Sequence, residues 1–322
     1  MSAPRPWLAP LTPLYRLGAA LDAAFKPVRR LRWPVLSIGS LSTGGSGKTP
    51  LAIALARALT RRGLHVDVLS RGYGRSSRAA LRVHPDGTAE EFGDEPIEIA
   101  RQAGVPVYVA AQRYEAGLLA EADANSGVHL LDDGFQHRQL HRNADIVLLN
   151  PADWCDRLLP AGNLREPLSA LRRASVIAIG AEDAGLADEL AQFGWDGPIW
   201  HLKRRMEAPQ VNGPVAAFCG IARPAQFFSG LEAAGLRLSA RIAFRDHHRY
   251  TPGDVARLQR EARGAGATAL ITTEKDRVRL GALTAPSADS LPVVTAALRV
   301  EIVDEDAAME WLMSRVTRSA AL

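Results

Sequence analysis

The stretch Ser42-Thr43-Gly44-Gly45-Ser46-Gly47-Lys48-Thr49-Pro50 constrains this chain more than any other. Before it, residues 35–38 read as a short, mostly apolar strand. After it, residues 51–62 carry Leu51, Ile53, Ala54, Leu55, Ala58 and Leu59 and stop at Gly63, a natural helix C-cap. A glycine-rich turn between strand and helix, closed by Gly-Lys-Thr, is the phosphate cradle of P-loop nucleotide-binding chains. The glycines let backbone N–H groups turn inward around phosphate oxygens. The helix start adds its dipole, Lys48 a cation, and the Thr49 hydroxyl a ligand for Mg²⁺. Pro50 fits because the first helical turn needs no N–H there. The usual first glycine, five residues before Gly47, is here Ser42. The motif implies a nucleoside triphosphate and is silent about what receives the phosphate.

With 322 residues, the chain is long enough for two domains. Hydrophobic residues make up 47% and charged ones 23%, which excludes a disordered chain. Cys155 and Cys219 stand far apart at no metal spacing, pointing to a reducing cytosolic setting. A net charge of +4 suits acidic ligands, but no RNA- or DNA-binding motif is present, so nucleic acid is not an expected partner.

Residues 1–32 form a segment of their own. Trp7, Leu11, Leu14, Gly18, Leu21, Phe25 and Val28 recur along one helical stripe. Arg5, Arg16, Lys26, Arg29, Arg30 and Arg32 ring it, with Asp22 the only acid. Charge, Pro10 and Pro13 interrupt the apolar run, so it reads as neither a spanning helix nor a signal peptide. Two readings stay open: a basic amphipathic helix lying in a membrane interface, or a helix packed on the domain behind it.

Residues 33–197 alternate strands and helices, the pattern of a parallel sheet covered on both faces. Ser70-Arg71-Gly72-Tyr73-Gly74-Arg75 ends a strand and suits an anion-binding loop. Gly93-Asp94-Glu95-Pro96 opens a helix with acids in its first turn. A further apolar strand ends in Asp132-Asp133-Gly134-Phe135-Gln136-His137, and an acid placed so is how P-loop enzymes hold Mg²⁺. Residues 198–214 read as an extended hinge. Residues 215–322 then resume the alternation as a second, smaller α/β domain, and a cleft between two such domains is where a substrate is expected. In that second half, Asp246-His247-His248 and Thr273-Glu274-Lys275-Asp276 each follow a strand, at the edge where ligands bind in such sheets.

Taken together, the motifs resemble those of the tetraacyldisaccharide 4'-kinase family of lipid A biosynthesis. The matching stretches are residues 42–50, 70–75, 93–96, 132–137, Leu159-Pro160-Ala161-Gly162-Asn163-Leu164-Arg165-Glu166-Pro167, Phe244-Arg245-Asp246-His247 and residues 273–276, in the family's order. The resemblance covers Ser42 as well, since the family's loop looks the same. It implies transfer of the ATP γ-phosphate to the 4'-hydroxyl of a tetraacylated glucosamine disaccharide 1-phosphate, giving lipid IVA. It also implies a peripheral enzyme at the cytoplasmic face of the inner membrane, with a lipid substrate and no obligate protein partner.

Within that implied chemistry, Ser42, Thr43, Gly44, Gly45, Ser46, Gly47, Lys48 and Thr49 hold the phosphates. The oxygen ligands on offer to Mg²⁺ are Thr49, Asp132 or Asp133, and Glu166. Arg165 spreads phosphate charge. By resemblance Asp94 is the base and His247 pairs with it. Arg71, Tyr73, Arg113 and His137 are candidates for the disaccharide, and Glu274 and Asp276 for the nucleoside. The alternative from another class is a regulatory P-loop NTPase or metallochaperone-like protein, for which no convincing pair of switch segments is visible.

Overall fold

A computed structural model describes residues 6–24, 27–284 and 290–320. In chain order the elements are α1 (Thr12–Ala24), β1 (Val35–Ser40), α2 (Lys48–Arg61), β2 (Val66–Ser70), β3 (Leu81–Arg82), α3 (Ala89–Phe92), α4 (Asp94–Ala103), β4 (Val107–Val109), α5 (Arg113–Asp123), β5 (Val128–Asp132), β6 (Ala144–Leu148), α6 (Pro151–Trp154), β7 (Val176–Gly180), α7 (Gly185–Gln192) and β8 (Ile199–Glu207). Then come β9 (Val215–Cys219), α8 (Pro224–Ala233), β10 (Leu238–Ala243), α9 (Pro252–Gly264), β11 (Ala269–Thr273), α10 (Glu274–Leu280), β12 (Val293–Ile302) and α11 (Glu305–Ala320). A 3₁₀ turn at Pro6–Leu11 leads into α1.

The strands join in one twelve-stranded sheet in the order β10-β9-β11-β12-β8-β7-β6-β1-β5-β2-β4-β3. Within each half the pairing is parallel apart from the short edge strand β3, and the halves meet where β12 pairs antiparallel with β8. Both faces of the first half are covered, as fully buried strands such as β1, β5 and β6 require. Leu36, Ile38, Leu130 and Ile146 pack under α2 and α4. Alternate residues of those strands, Val35, Leu131 and Val147, face the other side. The second half repeats the arrangement, with Phe227 and Leu231 of α8 on one face and Leu258 and Ala262 of α9 on the other.

The α/β architecture is as expected, but two boundaries differ. The region expected as a hinge at 198–214 is largely β8, where Trp200 and Leu202 alternate inward and pair parallel with β7; only residues 208–214 remain as a connection. The carboxyl-terminal helix also leaves the second half. Ala308, Met309 and Leu312 of α11 join the core around α2, and Arg61 and Arg62 pair with Glu305. Its apolar residues find their partners across the molecule, which no local pattern records.

At the amino-terminal end, Trp7, Leu11, Leu14 and Leu17 are exposed, Trp7 by 75%. The expected stripe member Phe25 and the basic residues Arg5 and Lys26 lie outside the described residues, as do the side chains of Leu21 and Asp22. No helix among the described residues is long and apolar enough to cross a membrane.

Candidate active site

The cradle forms because Gly44, Gly45 and Gly47 take left-handed backbone conformations, with φ of 66°, 65° and 91°. Helix α2 then starts at Lys48 with no side-chain cap on its first turn. Its leading N–H groups are left for an outside acceptor, and the dipole favours an anion there. Ser42 does not share the left-handed conformation. It is fully buried beneath the loop and bridges to Leu164, so glycine is not needed at that position.

Lys48 lies across the mouth of the loop. Its Nζ donates to Ser40 Oγ at 3.2 Å and Ser46 Oγ at 3.1 Å, and stands 3.4 Å from Asp133 Oδ1. At the end of β5 the two adjacent acids are treated differently. Asp133, with φ of 49°, receives Arg165 Nη1 at 2.8 Å as well as Lys48. Burial opposes its ionisation, yet Lys48 and Arg165 outweigh that and hold the carboxyl below the usual carboxylate range. Asp132 is 1% exposed, with Ser70 Oγ at 3.4 Å from Oδ2 and no partner for Oδ1. Burial, then the charges of Glu95 and Asp133, raise it to about 7. An unsatisfied, buried carboxylate oxygen in the cleft that Thr49 also lines is an environment that suits a divalent cation.

Asp94 opens α4, and the turn before it is tight. Gly93 has φ of 90°, and a Cβ on it would stand 3.0 Å from Gly72 Cα, so the 70–75 loop and the start of α4 meet backbone to backbone. Asp94 Oδ1 accepts from Glu95 N at 3.0 Å. Oδ2 accepts from Arg279 Nε at 2.7 Å and from Arg279 Nη2, and lies 3.3 Å from His247 Nδ1. Burial works against ionisation here too, but the His247 hydrogen bond and the Arg279 and Lys275 charges hold the carboxyl far below its ordinary range. His247 also has a left-handed φ of 56°, sparsely populated for a residue with a side chain. Its ring lies 5.4 Å from that of Tyr73, and the hydrogen bond to Asp94 raises its affinity for a proton against the effect of burial.

One cleft of about 1590 Å³ gathers most of the residues singled out from sequence. Thr43 to Thr49, Asp132, Asp133, Arg165 and His247 line it. So do Arg71, Tyr73, Arg113 and His137, the candidates for a sugar, and burial brings Arg113 down to about 10. Glu274 lines it as well, although its Oε2 is taken by Gln102 Nε2.

Three of the acidic residues singled out from sequence do not line the cleft. Glu166, expected as a metal ligand, is held by Arg173 and Arg138 and does not line the cleft. Asp276, expected at the nucleoside, has no exposed surface. Its carboxylate accepts from Gly220 N, Tyr250 Oη, Thr273 Oγ1 and Arg279. Asp94 stands behind the cleft wall rather than on it.

Sequence reasoning passed over Arg279, which ties Asp94 to the second half, and Tyr15, whose hydroxyl donates to Arg165 O at 3.1 Å. It also passed over Arg204 and Arg223, which line the cleft from the far side. The available signal for Arg279 was its position one turn beyond Lys275 and Asp276 on a helix opened by Thr273.

The sequence profile of tetraacyldisaccharide-1-P 4'-kinase, LpxK, matches residues 4–317. A tetraacyldisaccharide 4'-kinase of Koribacter versatilis is 41% identical over 325 residues, covering 96% of this chain and 98% of the relative. One from Anaeromyxobacter dehalogenans is 40% identical over 305 residues, covering 86% and 80%. Among solved structures, LpxK from Aquifex aeolicus, crystallised in complex with ATP, superposes with a TM-score of 0.74 at 32% identity, covering 96% of this chain and 98% of that one. By profile, by sequence and by fold, the chain belongs to the tetraacyldisaccharide-1-P 4'-kinase family.

Proposed function

We propose that the chain transfers the γ-phosphate of ATP to the 4'-hydroxyl of a tetraacyldisaccharide 1-phosphate, a step of lipid A biosynthesis that gives lipid IVA. The observation that carries this reading is the sharing of one cleft by the uncapped start of α2, Lys48 and His247. The regulatory NTPase alternative loses its support, because relatives named as this kinase match over nearly the whole chain.

The first-turn amides of α2 and Lys48 bind the triphosphate. Arg165, anchored on Asp133, lines the cleft, where its guanidinium would spread charge on the transferred group. Asp132 and Thr49 would hold Mg²⁺, and the unpartnered Asp132 Oδ1 fits that role. A divalent cation held there would supply charge neutralisation for the phosphates. The pair formed by Asp94 and His247 takes up the hydroxyl proton. Tyr15, Pro27 and Arg29 border the same cleft, next to a segment whose Trp7, Leu11 and Leu14 are exposed. A lipid docked on that apolar segment would present its sugar to the cleft. The enzyme then works as a peripheral protein on the cytoplasmic face of the inner membrane.

Purified protein incubated with [γ-³²P]ATP, Mg²⁺ and the disaccharide 1-phosphate in detergent should yield a labelled lipid on thin-layer chromatography. Release of labelled phosphate with no labelled lipid would contradict the reading.

A further inference from the structure

Lys275, the second residue of α10, lines the cleft from the second half of the molecule, and neither the phosphate cradle nor the Asp94 and His247 pair makes use of it. The turn that carries it is closed along its backbone, since Thr273 Oγ1 accepts from Asp276 N and the Asp276 carboxylate is taken by Gly220 N and the Thr273 hydroxyl. The lysine side chain is what that turn offers to the cleft. Its Nζ donates to Glu95 Oε1 of α4 at 2.5 Å, and 26% of the side chain stays exposed. An ammonium has three N–H donors, and Glu95 takes one of them.

The acids around Lys275 do not cancel its charge. Asp94 is already held by Arg279. Glu98 is 7% exposed, has no partner on Oε2 and is pushed up to about 8 by burial, so it is largely uncharged near neutral pH. Glu95 is the carboxylate bonded to the ammonium. Burial opposes the lysine charge, but the neighbouring carboxylates, Glu95 first, outweigh it, so Lys275 stays an ammonium at working pH.

Its place in the cleft follows from the groups that its charge reaches. Lys48 acts on Asp132 and Arg279 acts on Asp94, whereas Lys275 acts on both. Asp132 ends β5 on the side of the phosphate cradle, and Asp94 belongs to the pair that takes up the hydroxyl proton. The γ-phosphoryl group crosses between those two stations, from the nucleotide on the cradle to the hydroxyl oxygen.

We propose that Lys275 is a further catalytic residue, an ammonium from the second half that binds the γ-phosphoryl oxygens while Glu95 keeps it aimed at them. This rests on the kinase reading above. As the 4'-oxygen forms its bond to the γ-phosphorus, the bond from that phosphorus to the β–γ bridging oxygen breaks, and ADP leaves with the electron pair. The hydroxyl proton goes to the Asp94 and His247 pair. Lys275 gives up no proton and forms no covalent bond; it offsets charge on the oxygens that travel with the phosphorus. Because Glu95 belongs to the first half and Lys275 to the second, the ammonium is in place only when α4 and α10 are docked.

The test compares the full wild-type chain with Lys275→Gln by titration calorimetry. The ligands are ADP and ADP with beryllium fluoride, which stands in for the γ-phosphoryl group, both with Mg²⁺. The variant should bind MgADP within about twofold of wild type and MgADP–beryllium fluoride at least about tenfold more weakly, the size of one charge-assisted hydrogen bond. Equal weakening of both, or of neither, would overturn the proposal and leave Lys275 a tie between the halves. Should the variant fail to fold, lysine acetylation of the wild type decides the matter. The sequence has four lysines, so mass spectrometry follows Lys275 by itself. MgADP–beryllium fluoride should slow its acetylation while MgADP leaves it unchanged, and the same rate with both ligands would overturn the proposal. Neither readout needs a lipid, so a wild type that meets both yet never labels the disaccharide would contradict the kinase reading alone.

Discussion

Helices α2 and α10 each follow a strand, α10 directly and α2 after the glycine-rich loop, and each has a threonine and a lysine near its start, yet they meet the problem of unsatisfied N–H groups in opposite ways. At α2 the N-cap is Gly47, with φ of 91° and no capping side chain. At α10 the N-cap is Thr273, whose hydroxyl accepts from Asp276 N at 3.1 Å and donates to Asp276 Oδ2 at 2.6 Å. The same Asp276 then accepts from Gly220 N. One junction is left open toward the cleft, and the other closes on itself and on the next strand end. At α2 the uncapped start also follows the glycine turn and faces the cleft, which leaves its N–H groups for a phosphate.

The largest effect should come from the open junction. Lys48→Ala should lower kcat/KM for ATP by at least about a hundredfold, since it removes a cation opposite the phosphates, while circular dichroism stays unchanged. Near-normal rates would erase the distinction between the two helices. The closed junction should respond in stability instead. Asp276→Ala strips a partner from Arg279, Gly220 and Tyr250 inside the second half, and should cost about 3 kcal/mol in denaturant melts. A loss of ATP affinity with no loss of stability would place Asp276 at the nucleotide after all. The smallest effect belongs to the cap alone. Thr273→Ala should cost about 1 kcal/mol and leave KM for ATP unaltered.

How much of this was legible follows from how local each signal is. The cradle could be read because its glycines, Lys48 and Thr49 act within one turn of one another. The acids Asp132 and Asp133 could be placed at a strand end for the same reason. Which of them is open could not, because Lys48 and Arg165 reach Asp133 from different parts of the chain. Glu166 sits next to Arg165 in sequence, but Arg173 draws it into a separate ion pair. The placement of Asp276 was hidden for a related reason. It follows a strand as ligand-binding residues do, and only its return to Gly220 shows that its carboxylate is already occupied. Residues 199–207 carried strand alternation that their proline- and glycine-bounded surroundings obscured, while α11 depends on partners in α2 that lie far away in sequence.

The contrast between the two helix starts is tested most directly by hydrogen exchange read by mass spectrometry, with and without a non-hydrolysable ATP analogue and Mg²⁺. Amides of residues 44–49 should exchange more slowly when the analogue is bound. Those of residues 273–277, already capped by Thr273, should exchange at the same rate in both conditions. Equal slowing at both junctions, or slowing at residues 273–277 alone, would contradict the assignment of the triphosphate to the uncapped start of α2.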